Sequence, residues 1–153
     1  MKIVLAIDGS DCSTAAVKGL SKMPLPNDSE VNIINIYENR ALPTSGLHST
    51  KATLYKYPDD AIKNAQKIGD KIISEAIQVL KEKDSSLTIT TSVINGLPKK
   101  EILEKADSFN ADLIVVGSQG QGAFSRFLLG SVSQYLATHA KCSVMIVKDK
   151  DAK

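Results

Sequence analysis

The chain has 153 residues, 42% of them apolar and 24% charged, and it lacks tryptophan; 19 basic and 17 acidic residues leave a net charge of +2. That length is enough to bury one proper core, and the near balance of charge gives no reason to expect nucleic acid or an anionic membrane as partner. No window reaches the ~18 consecutive apolar residues that a membrane span requires.

The first element, "KIVLAI" from Lys2 to Ile7, is a continuous apolar run rich in β-branched residues, the pattern of a strand buried on both faces. It is too short and too strand-like for a signal peptide, so a cytoplasmic protein is expected. "DGSDCS" follows with turn and helix-capping residues, and Ala15, Ala16, Leu20 and Met23 recur at helical spacing until "MPLPND" stops the helix. "VNIINIY", Val31 to Tyr37, is the second strand, and residues 38–58 form a long polar stretch without periodicity, expected to be a flexible loop.

From Asp59 to Lys83 runs the clearest helix, with Ala65, Ile68, Ile72, Ala76, Val79 and Leu80 on one stripe and charges opposite. A third strand spans Leu87 to Ile94. "NGLP" then turns the chain into a helix carrying Ile102, Leu103, Ala106 and Phe109 on its apolar face. "ADLIVVG" is the fourth strand. A glycine-rich segment and a helix to about Ala140 lead to the fifth strand, "SVMIVK", Ser143 to Lys148. Strict alternation of strand and helix predicts an α/β fold: an open, five-stranded parallel sheet with helices on both faces, joined by right-handed crossovers. Cys12 and Cys142 lie far apart with no C-x-x-C pairing, so both are expected to be reduced, buried structural thiols.

In such sheets ligands bind outside the carboxyl ends of the strands, which selects the residues after strands one, two and four. After strand four, Gly117-Ser118-Gln119-Gly120-Gln121-Gly122 allows the backbone N–H groups to approach an anion closely. Ten residues beyond Gly120, Gly130-Ser131 opens a helix whose first N–H groups have no intrahelical partner and suit a phosphate. Together the two features fit a polyphosphate. A competing explanation needs no ligand: Ser131-Val132-Ser133-Gln134 also matches a capping box. Asp8, at the end of strand one, can accept a hydrogen bond from a ribose hydroxyl or a base amino group, or it can cap the next helix, although Ser10 and Asp11 are available for that task. Arg126 could neutralise phosphate or lie on the surface. His48 and His139 have no metal partners nearby in sequence and fit surface or core positions.

Several chemistries are excluded. There is no G-x-x-x-x-G-K-[ST] loop. The glycines follow the fourth strand rather than the first, unlike a dinucleotide fingerprint. No nucleophile set or metal cluster stands out, and Asn95-Gly96 after strand three replaces the acidic residue a receiver domain needs.

At Gly117, Gly120, Gly130 and Ser131 the chain reads G-x2-G-x9-G-[ST], and with "VVGSQGQGAFSRFLLGSVSQYLATHAKCSVMIVK" and "IVLAIDGSDCSTAAV" it resembles the universal stress protein family of the ATP-binding type, across essentially the whole chain as one domain, 1–153. The resemblance implies a Rossmann-like sheet, similar to adenine nucleotide alpha hydrolases, in strand order 3-2-1-4-5. It implies ATP as ligand with Mg²⁺, Asp8 and the Ala6 backbone at the adenosine end, and the Ile36 backbone on adenine. Val116, Gly117 and Gly120 would line ribose and phosphates, and Gly130, Ser131 and Val132 would hold the phosphates. Gln119 departs from the pattern, since the family often has a basic residue there. The resemblance also implies a homodimer through the last strand, Ser143 to Lys148, which lacks proline and could pair across a two-fold axis. On this reading the protein is a nucleotide-dependent regulatory switch in stress physiology, at most a slow ATPase. The alternatives are an enzyme of the ATP-pyrophosphatase or adenylyl-transfer kind, for which "DGSDCS" is a poor match, and a nucleotide-free dimerisation module, against which the intact glycine motif speaks.

Overall fold

The computed structural model describes residues 1–38, 59–121 and 129–149. The expected loop at 38–58 therefore lies almost wholly outside the described residues, as do Arg126 and His48. Among the described residues nine elements alternate: β1 (Lys2–Ala6), α1 (Asp11–Ser21), β2 (Glu30–Tyr37), α2 (Asp59–Lys83), β3 (Thr88–Asn95), α3 (Pro98–Phe109), β4 (Leu113–Gly117), α4 (Ser131–His139) and β5 (Ser143–Val147). The five strands form one sheet in the order β3-β2-β1-β4-β5, and every pairing is parallel. Fold and strand order are those expected. Boundaries differ by a residue or two: β1 stops at Ala6, β3 starts and ends one residue later, and α1 ends before Met23.

Because side chains alternate along a strand, consecutive residues of the apolar runs serve opposite layers. Ile3, Leu5 and Ile33 pack with Ala16, Val17 and Leu20 of α1 and with Ile73, Ala76 and Leu80 of α2. Val4, Ile34, Ile114 and Val116 pack with Ile102 and Ala106 of α3 and Leu136 of α4 on the other face. This two-sided demand explains why the central strands are apolar at most positions, with Asn32 and Asn35 of β2 the buried polar exceptions.

Strand lengths create a notch. β1 pairs no further than Ala6, opposite Ile34 on one side and Val116 on the other. β2 continues beside β3 to Tyr37, and β4 beside β5 to Gly117. At this same point the connections diverge: β1 leads to α1 on one face and β4 to α4 on the other. A crevice at the carboxyl end of the sheet follows from that reversal.

Candidate functional site

The floor of the notch is the exposed end of β2. Ile7 N donates to Ile34 O at 3.0 Å, and Tyr37 O accepts from Gly96 N at 3.1 Å. Ile34 therefore turns its backbone groups toward β1 and Tyr37 toward β3. By the two-residue period of a strand, Ile36 directs its N–H and C=O the same way as Ile34, into the space beyond the end of β1. One donor and one acceptor are thus presented side by side.

The turn after β1 supplies Asp8. Its Oδ1 accepts from Ser10 N at 3.0 Å and Ser10 Oγ at 2.6 Å, and its Oδ2 accepts from Gln121 N at 2.9 Å. Capping of α1 is performed by Ser10, whose Oγ accepts from Ser13 N. Asp8 is free of that duty, and the expectation that Ser10 could replace it there is met.

The glycine loop leaves β4 directly beside that turn. A Cβ on Gly117 would stand 2.6 Å from the Cys12 carbonyl carbon and 2.8 Å from Ser13 N, so the start of α1 lies against bare backbone. On Gly120 a Cβ would meet Asp8 Oδ2 at 2.6 Å. Both glycines answer to close approach. The loop is closed by Gly130 N donating to Ser118 O at 2.7 Å and by Ser133 Oγ donating to Ser118 O at 2.9 Å. α4 then begins with Gly130, not Ser131, as its N-cap, and no side chain caps it. The capping-box explanation of Ser131 is thereby overturned: Ser131 is the first helical residue, its side chain exposed. The leading N–H groups of α4 lack intrahelical partners and carry the positive end of its dipole.

All nine residues singled out from the sequence line one cleft of about 840 Å³: Ala6 and Asp8 after β1, Ile36 on β2, Val116, Gly117 and Gly120 at β4, and Gly130, Ser131 and Val132 at α4. Residues assigned elsewhere join them. Ala65, Ile68 and Ile72 form a wall from α2. Ile68 was expected in the core stripe, yet it is 53% exposed, because the sheet beneath it ends and the cleft begins. Gln121 and the buried Asn35, whose Nδ2 donates to Ile7 O at 2.8 Å, also line the cleft and carried no sequence signal. The only ionisable carboxylates among the described lining residues are Asp8 and Glu38, and that lining includes no lysine, arginine or histidine.

Other expectations resolve away from the cleft. His139 is exposed in the last turn of α4, stacked on Tyr135 at 3.9 Å. Both cysteines are free thiols, but Cys142 is only half-buried, contrary to expectation. Burial still pushes its thiol up from the ordinary value. Among the described residues no group of three or more His, Cys, Asp or Glu could hold a metal, and no helix is long and apolar enough to cross a membrane.

An open parallel α/β sheet with a ligand-sized crevice at its topological switch point defines the class. Within it, the model of the universal stress protein family matches residues 1–148, and the chain belongs to that family. It is 31% identical over 147 residues to universal stress protein YxiE of Bacillus subtilis, covering 96% of this chain and 98% of the relative. To universal stress protein MJ0531 of Methanocaldococcus jannaschii it is 32% identical over 151 residues, covering 96% and 81%. Among solved structures, a universal stress protein in complex with cAMP superposes with a TM-score of 0.66 at 26% identity, over 97% of this chain and 96% of that one. Two further members share the fold: one from Archaeoglobus fulgidus in complex with dAMP (TM-score 0.63, 20% identity, 97% and 98% covered) and one from Arabidopsis thaliana with AMP bound (0.64, 17%, 99% and 93%).

Proposed function

We propose that this chain binds an adenine nucleotide, ATP with Mg²⁺, and acts as a nucleotide-dependent regulatory switch in stress physiology. One observation carries the reading: a strand edge offering a donor and an acceptor, a carboxylate and an uncapped helix start line a single cleft of about 840 Å³, a volume within the usual range for small-molecule sites. The cAMP, dAMP and AMP held by the related structures support an adenine ligand. In this reading the Ile36 backbone takes the adenine edge, and Asp8 with the Ala6 backbone takes the adenosine end. Val116, Gly117 and Gly120 line ribose and phosphates, while the N–H groups after Gly130, with Ser131 and Val132, hold the phosphates.

The residues present fit a nucleotide and its metal in a particular way. The described lining contributes two carboxylates and no cation; the start of α4 and a divalent ion would share the neutralisation of phosphate with Arg126, which lies outside the described residues. Mg²⁺ commonly keeps its waters and is held by substrate phosphates plus one or two carboxylates, which matches the two carboxylates of the described lining. Asp8 already accepts three hydrogen bonds and is poorly placed to activate water, so hydrolysis should be slow at most. The setting proposed is the cytoplasm, and the assembly a homodimer through β5.

The test is isothermal titration with ATP and Mg²⁺. The double variant Gly120→Val, Ser131→Ala should lose binding while keeping its thermal unfolding transition, because a Cβ at 120 meets the flexible Asp8 carboxylate rather than backbone. Chelation of Mg²⁺ should weaken wild-type binding by at least about tenfold, of the order of one desolvated charge interaction. Unchanged affinity in the double variant would remove the site assignment.

A further inference from the structure

Gln121 has no assigned part in the glycine motif, where it is one of the nine unspecified positions between Gly120 and Gly130. It nevertheless makes two hydrogen bonds across 113 residues of chain: its backbone N donates to Asp8 Oδ2 at 2.9 Å and its Nε2 donates to Asp8 O at 2.6 Å. The same contact dictates Gly120, since a Cβ there would collide with Asp8 Oδ2. The second glycine of the motif thus makes room for Asp8, and the next residue grips it.

We propose that Gln121 is a positioning residue for Asp8: it clasps the β1 turn to the glycine loop and so sets the geometry in which Asp8 receives ligand. A carboxylate has about four acceptor sites. Oδ1 takes both Ser10 donors and Oδ2 takes Gln121 N, which leaves one site, on Oδ2, for a hydroxyl or amino donor. Its direction is fixed by the bonds that occupy the others. The Gln121 side chain adds a second tie at the Asp8 carbonyl, so the peptide that carries the carboxylate cannot swing away from the loop. The clasp also joins the adenosine end of the cleft to its phosphate end.

The inference rests on the adenine-nucleotide reading, and a double-mutant cycle separates the two. Gln121→Glu keeps the side-chain size but loses the donor and sets an acceptor against the Asp8 carbonyl. With adenosine as the probe in calorimetric titration, so that the new carboxylate meets no phosphate, Gln121→Glu should weaken binding about tenfold, the effect of one charge-linked hydrogen bond. In an Asp8→Ala background the same change should cost less than about twofold, because interacting residues are non-additive. Gln121→Ala, which loses the donor without adding an acceptor, should weaken binding less than Gln121→Glu, and both variants should keep the wild-type melting transition. Equal losses in the two backgrounds, or no loss in either, would overturn the positioning role. Wild-type adenosine affinity in Asp8→Ala alone would instead remove the reading of Asp8 on which the proposal stands.

Discussion

The four motif residues answer to different constraints at the residue scale. Gly117 faces backbone: the Cys12 carbonyl carbon and Ser13 N stand 2.6 and 2.8 Å from where its Cβ would be. Backbone cannot rotate away, so Gly117→Ala must push α1 off β4. Overpacking of this kind costs about 1–3 kcal/mol, and a chain of this size should lose about 3–10 °C in melting temperature. Calorimetric melting checks this, and an unshifted transition would mean that α1 yields freely. Gly120 faces a single carboxylate oxygen, so the same change there should impair the site and leave the fold. Sequence spacing treats these glycines as equivalent. Only their surroundings separate one that protects the fold from one that protects Asp8.

Among the elements, α4 is the informative one. Nine residues begin with a glycine N-cap that offers no side-chain acceptor, although serine, aspartate or asparagine would stabilise the helix by about a few tenths of a kcal/mol. Stability has been forgone where a phosphate is proposed to sit. Ser131→Asp tests the trade: a carboxylate in the first turn should favour the helix dipole by about 0.3–1 kcal/mol and raise the melting temperature by about 1–3 °C. The same carboxylate should repel a nucleotide phosphate, lowering AMP affinity at least about tenfold while leaving adenosine affinity within about twofold, by the short range of such repulsion in salt. Equal losses for AMP and adenosine would argue against phosphate at this helix end. Element type was legible throughout, because Lys2–Ala6 is a short continuous apolar run of β-branched character and the 3.6-residue period is strong in Asp59–Lys83. Where each face points was less so. Ile68 continues the apolar stripe of α2, but the stripe outruns the sheet, and its last turns toward the carboxyl edge line a cleft.

For the whole molecule, both sheet edges are strands, and β5 is the shorter and more apolar one: Val144, Met145, Ile146 and Val147 are all half-buried. Ser118 N donates to Val147 O, so Val147 and Met145 turn their backbone groups toward β4, and Val144 and Ile146 turn theirs outward. A proline at an outward position removes a donor that the sheet itself does not use. Val144→Pro should therefore convert the proposed dimer to a monomer with the sheet retained. Sedimentation velocity on both forms decides it: a monomeric wild type, or a variant that remains dimeric, would rule out pairing through this strand.

Order and kind of the elements, the parallel sheet and most of the cleft residues were legible in the sequence, because periodicity and the carboxyl-end rule act on local patterns that the chain carries in order; Ala6 and Val132 came only with the family resemblance. The remainder depends on how the elements pack. The notch exists because β1 stops at Ala6 while its neighbours continue, and such a difference in length arises only when three strands are laid side by side. Gln121 joined Asp8, Gly130 rather than Ser131 became the cap, and Ile68 became a wall of the cleft. Each outcome depends on contacts between segments that are distant in the chain, and no residue spacing encodes the direction in which a backbone group or side chain will finally point.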